Sequence, residues 1–184
     1  MSILEPSIET GIILTLSGKH FNLFNPTPEM IDIHDIASGL SNKGHFSGLT
    51  PSFFSIAQHS TMVCDEFSFW DPLVDPGLKL LALLHDAAEA YVGDMIKPLK
   101  VRMPQFSVIE DQIMQAICAR YSLDDSSLHL IKPTDLFIQE VEYNAFYRGG
   151  RITYMNPQQA NHEFLERFKE YYHERIFCWG SINN

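Results

Sequence analysis

The run Leu80-Leu81-Ala82-Leu83-Leu84-His85-Asp86-Ala87-Ala88-Glu89-Ala90-Tyr91 constrains the fold more than any other stretch of the chain. It is made of strong helix formers, with no Gly or Pro inside. Its apolar residues go nearly all the way round instead of forming one stripe, as in a helix buried within a domain or a membrane. It is too short to cross a bilayer, so it predicts a central core helix ending near Gly93. Yet His85, Asp86 and Glu89 sit inside it, and buried ionisable groups are costly unless paired, hydrogen-bonded or bound to a metal. His85 and Glu89 share a helix face, with Asp86 about 100° round from His85. Three such groups on so dry a helix call for a partner, and a metal ion is the leading candidate.

The remaining composition limits what that partner can serve. A chain of 184 residues with 45% hydrophobic content favours one domain with a real core and no need of disulfide staples. Cys64, Cys118 and Cys178 are odd in number, far apart and free of any C-x-x-C pairing. They predict reduced thiols in a cytoplasmic setting and no structural zinc knuckle. Met1 to Gly18 lacks a basic leader region, and no apolar run reaches membrane-helix length, so neither a signal peptide nor a membrane partner is expected. The net charge of -10 opposes binding to a nucleic-acid backbone. It leaves room for a small phosphorylated substrate, because a metal and a few local cations can reverse the potential inside one cleft.

Along the chain, 1–10 reads as a loose arm. Gly11 to Phe24 reads as a hairpin turning at Ser17-Gly18. Helical spacing follows over Ile31 to Asn42, and the glycine-containing stretch to Pro51 reads as a flexible loop. Further helices are expected from Ser55, through the central run, from Pro104, around Lys132-Pro133 up to Gly149-Gly150, and after Pro157. Residues 175–184 are expected to be a tail. The fold class is all-α: a single helical bundle with a small N-terminal β-hairpin.

Taken singly, the polar residues have plain explanations. A lone His59 on a mixed helix is more often a satisfied core or surface histidine than a ligand, and Asp135, just after Pro133, suits a helix cap. Together, Ala57-Gln58-His59-Ser60, Leu84-His85-Asp86 with Glu89 and Asp94, and Lys132-Pro133-Thr134-Asp135 closely resemble the HD-domain metal-dependent phosphohydrolases. The extension to Glu89 and Asp94 resembles the bacterial 5′-deoxynucleotidases and small phage dATP hydrolases of that superfamily. The resemblance runs from near Ser17-Gly18 through the helix after Pro133.

That resemblance implies an HD-type bundle with His59, His85, Asp86 and Asp135 as ligands of one divalent metal per site. A mixed N/O set suits Co²⁺, Mn²⁺, Zn²⁺, Fe²⁺ or Ni²⁺, with Mg²⁺ also in range. Glu89 and Asp94 are implied as catalytic acid and base, undivided between them, though Glu89 also suits a hydrogen-bond partner to a ligand histidine. Lys97 and Lys100, with Arg102 beside them, are cations placed for phosphate. The stretch Lys43-Gly44-His45-Phe46 aligns with the family's substrate loop, where relatives usually carry Arg; His45 lacks that bidentate fork, Lys43 offers a substitute charge and Phe46 a stacking surface. The expected activity is hydrolysis of deoxynucleoside 5′-phosphates, dATP first, by water that the metal activates. The expected partner is that small deoxynucleotide, with assembly into a homo-oligomer (dimer or hexamer) through helices and the aromatic residues Phe164, Phe168, Tyr171, Tyr172 and Trp179. Alternatives are broad deoxynucleoside monophosphate hydrolysis and a metal-holding nucleotide sensor without turnover. A cyclic-dinucleotide phosphodiesterase ranks last, because no Gly-Tyr-Pro motif follows His85-Asp86.

Overall fold

The structure, a computed structural model, describes residues 10–182, with side chains through Ile176. The expected arm over 1–10 lies outside it except for Thr10, as do the side chains of Cys178 and Trp179.

The fold is all-α with one small hairpin, as the hydrophobic patterning predicts. Strands β1 (Ile12–Leu14) and β2 (His20–Asn22) pair antiparallel, Ile13 opposite Phe21. The turn between them is pinned from below by a buried carboxylate: Asp35 accepts from the Ser17 backbone N–H at 2.7 Å and from its hydroxyl at 2.6 Å. Asp35 lies on α1 (Ile33–Ser41), whose start is capped by Asp32 accepting from the His34 N–H. Helix α2 (Ile56–Trp70) starts at Ser55, whose hydroxyl oxygen accepts from the Gln58 N–H. Asp75 caps α3 (Pro76–Leu84) just ahead of Pro76, a residue well suited to the first helical position.

Short helices α4 (Glu89–Val92) and α5 (Lys97–Lys100) precede the longer α6 (Pro104–Arg120), α7 (Leu128–Tyr147) and α8 (Pro157–Ile182). Helix α3 packs against α2 and α8, and α2 also contacts α7. Leu80, Leu81, Leu83 and Leu84 are fully buried in the core this creates. Gln58, also buried, donates to the Thr153 carbonyl and accepts from the Met155 N–H, tying α2 to the α7–α8 connection. Among the described residues no helix is long and apolar enough to cross a membrane.

Three expectations change. The central run is not one helix: α3 stops at Leu84, and the chain from His85 to Ala88 tightens before α4. Its hydrogen bonds there reach back three residues, as from Ala87 to Leu84 and from Glu89 to Asp86. Helix α7 begins at Leu128, so Pro133 is inside it and Asp135 is a core-facing interior residue, buried, not a cap. Helix α8 runs on to Ile182, through most of the expected tail. The stretch after α1 is also ordered more than its glycines suggest, with Lys43 and His45 paired by backbone hydrogen bonds to Ile56 and Phe54. The C-terminal aromatics Phe164, Phe168 and Tyr171 are core residues.

Candidate metal centre

Four side chains from two helices and one tight turn come together. His59 comes from α2, His85 and Asp86 from the tightened turn after α3, and Asp135 from α7. His59 Nε2 stands 3.2 Å from Asp135 Oδ1 and 3.6 Å from Asp86 Oδ2. His85 Nε2 stands 3.2 Å from Asp86 Oδ2 and 3.9 Å from Asp135 Oδ1. Ligands about 2.0–2.2 Å from a shared ion are about 3.0–3.6 Å from one another; three of these spacings fall in that range, and the His85–Asp135 one is slightly wider. His59, His85 and Asp135 are one of two groups whose ligand atoms lie within 4.8 Å of one another. These buried groups can hold a metal ion.

The orientation of each imidazole supports that fit. The Nδ1 of His85 lies 2.8 Å from the Ala82 carbonyl, a pure acceptor, so Nδ1 carries the proton. The Nδ1 of His59 lies 2.8 Å from Glu142 Oε1. Both Nε2 atoms are left buried without a hydrogen-bond partner. Buried polar atoms are rarely left unpaired, and two orphaned nitrogens facing two carboxylates are what a bound cation would satisfy. The second group of potential ligands, His45, His59 and Glu142, has a simpler account. Glu142 already bonds His59 directly, which leaves no room for an ion between them.

The local field points the same way. Burial opposes the charge on His59, but Glu142, Asp135 and Asp86 outweigh it and hold the imidazole's pKa well above its ordinary value. Burial works against ionising Asp86, yet His85 and His59 hold it far below the usual carboxylate range. Asp135 is likewise depressed against the pull of burial, by His59, His85 and Lys132. The local field at this point favours positive charge.

Asp86 and Glu89 line a cleft of about 350 Å³ with His85, Lys100 and Glu110. The tightened winding brings residues three apart toward one side, so Glu89 comes round to Asp86, not simply to His85. Burial, reinforced by the charges of Asp86, Asp94 and Glu110, pushes the Glu89 carboxyl up to about 10. Its Oε2 is buried without a partner. Asp94 lies off the cleft, accepting from the Ser47 N–H at 3.0 Å, with its carboxylate 3.5 Å from His45 Nδ1. Burial pulls its pKa up, but His45 and Ser47 leave it lowered.

The substrate-binding set is only partly gathered. Lys100 lines the cleft but pairs with Glu110. Lys97 is exposed and does not line the cleft. Lys43 donates to the Ala90 carbonyl. Phe46 packs edge-on against Phe146 and His45, and His45 itself is buried. The residue that sequence reasoning missed is Glu142. Its signal was present: Ile131, Asp135, Ile138, Glu142 and Phe146 recur at helical spacing on one buried stripe of α7, so two carboxylates on that stripe had to face something charged.

No family model matches the chain. It is 38% identical over 111 residues to an uncharacterized protein of Rhodobacter capsulatus, a match covering 59% of this chain and 57% of that protein. It is 36% identical over 132 residues to the uncharacterized protein YfdR of Escherichia coli, covering 72% of this chain and 70% of YfdR. The chain belongs to the YfdR family. The chain thus spans less than two thirds of the Rhodobacter relative's length.

Proposed function

We propose that this member of the YfdR family is a metal-dependent phosphohydrolase of deoxynucleoside 5′-phosphates, of the HD-domain kind, with deoxyadenosine nucleotides the first substrates to test. The observation carrying this reading is the convergence of His59, His85, Asp86 and Asp135, with two orphaned Nε2 atoms, at the edge of an open cleft. A divalent ion held there would polarise a phosphoryl oxygen and acidify water.

The chain's own residues divide the remaining work. Glu89 holds a proton at its buried carboxyl and can give it to a leaving oxygen. Asp94 is held as the anion off the cleft, against His45 and Ser47. Asp86, Glu89, Glu110, Asp111 and Asp125 line the cleft against Lys100 alone among lysines and arginines, so an anionic substrate depends on the metal for charge compensation. The product from a triphosphate is deoxynucleoside plus triphosphate, and from a monophosphate, deoxynucleoside plus phosphate.

The test is release of phosphate or triphosphate from a panel varied in base, sugar and phosphate count, with Co²⁺ or Mn²⁺ added and with chelator. Metal-dependent release from a deoxynucleotide is the expected result. Tight metal binding without release from any member overturns the enzyme reading. That outcome fits a nucleotide sensor, which the scarcity of cations in the cleft favours.

A further inference from the structure

His45 is buried at 7% exposure, and the reason is in its neighbours. Its ring lies nearly parallel to that of His59, with centroids 4.3 Å apart, and Phe46 meets it edge-on at 4.4 Å. Neither ring nitrogen has a hydrogen-bond partner at close range. Each instead faces a carboxylate: Nδ1 is 3.5 Å from Asp94 Oδ2, and Nε2 is 3.4 Å from Glu142 Oε2. The other oxygen of Glu142 meets His59 Nδ1 at 2.8 Å. A continuous line, Asp94–His45–Glu142–His59, therefore runs from the loop after α4 to a candidate metal ligand. The loop supplying His45 is held in a costly conformation, with Phe46 and Ser47 both at positive φ (53° and 52°). Asp94 fastens that turn by accepting from the Ser47 N–H, and the Asp94 carbonyl accepts from the Ser47 hydroxyl.

Both nitrogens face protein carboxylates and one face of the ring is covered by His59, so His45 is turned into the protein and away from a phosphate. The geometry points to His45 as a positioning residue that spans Asp94 and Glu142, fixing the ring of His59 for metal and holding the Asp94 loop against the centre. Without it, the second oxygen of Glu142 loses the imidazole that faces it at 3.4 Å, and Glu142 can swing off His59 Nδ1. The partner of a ligand histidine's second nitrogen sets ring orientation and tautomer. This inference rests on the metal-centre part of the proposed function and is independent of hydrolysis.

The test is titration of the metal-free protein with Co²⁺, without nucleotide, reading the dissociation constant and the visible spectrum. His45→Ala is expected to weaken Co²⁺ binding about tenfold or more, the scale for losing an outer partner of a ligand, and to shift the spectrum. His45→Gln, whose amide cannot span both carboxylates, is expected to fall between His45→Ala and wild type, and it carries the test if His45→Ala does not fold. In Glu142→Gln the line is already cut, so adding His45→Ala should weaken binding less than about threefold further. Wild-type affinity and spectrum in the His45 variants would overturn the inference, as would effects of the two substitutions that multiply in full. Failure of the wild-type protein to bind Co²⁺ would remove the metal centre itself, a different result from either.

Discussion

The two sides of the candidate centre hold their histidines by opposite means. On the α2–α7 side everything is closed: His59, Asp135 and Glu142 are almost without solvent contact, and the Nδ1 of His59 is fixed by a carboxylate 83 residues away. On the side of α3 and α4 the support is local. His85 is fixed by the Ala82 carbonyl of the preceding helix, α3, and Asp86 and Glu89 face the open cleft. A carboxylate partner raises ligand basicity more than a carbonyl does. Under the proposed function, the closed side holds the cation and the open side exposes it to substrate.

The largest expected effect removes a ligand from either side. Asp135→Ala and Asp86→Ala should each weaken Co²⁺ binding by more than about 100-fold, beyond the range of outer-partner substitutions, and abolish hydrolysis. Equilibrium dialysis checks it. If Asp86→Ala binds like wild type, the open side contributes no ligand and the comparison fails.

Next in size, Glu89→Gln should lower turnover by about 100-fold or more, the scale of a lost acid–base group, with metal affinity within about threefold of wild type. A matching loss of metal affinity would make Glu89 part of the holding machinery instead.

How much of this was legible in the sequence differs between the two sides. The fold class, the hairpin and the apolar faces follow from periodicity, because burial imposes it. Of the candidate ligands, only His85 and Asp86 stand out by themselves, among leucines and alanines; His59 and Asp135 have plain local readings and are named through the resemblance to the HD-domain pattern. The break after Leu84 could not be seen, since Ala87, Ala88 and Ala90 suit a continuous helix as well as a tight turn. Nor could the enclosure of His45, which depends on Asp94, Glu142 and His59 arriving from three other places in the chain. Side-chain type is local information; what covers a side chain is not.

A smaller effect tests how the open side is held in place. Gly39 of α1 lies so close to α4 that an added Cβ would stand 2.8 Å from the Ala90 carbonyl and 2.9 Å from the Ala90 Cβ. Both belong to the backbone or a rigid stub, so α4 must move. Gly39→Ala should destabilise the protein by about 1–3 kcal/mol in denaturant unfolding. It should also lower turnover more than metal affinity, because Glu89 moves while the closed side stays.

The smallest effect is a slope in pH, and its sign separates the two sides. Glu89, with its carboxyl at about 10 against an ordinary 4.5, keeps a proton in the folded protein that the unfolded chain releases. Its contribution to stability is complete below the ordinary value and is lost as pH rises toward 10, with a slope of at most about 1.4 kcal/mol per pH unit. Asp135 and Glu142 are depressed, against the pull of burial, by their histidine partners. Their contribution is present above the ordinary carboxylate values and is lost as pH falls through the depressed ones. Metal-free wild type should therefore lose stability between about pH 6 and pH 9 more steeply than Glu89→Gln does. His59, whose raised pKa adds to the alkaline loss, is common to both proteins, so the difference between their slopes reports Glu89. Parallel slopes in urea unfolding would mean that Glu89 is already ionised, and the acid role assigned to it would pass to another group.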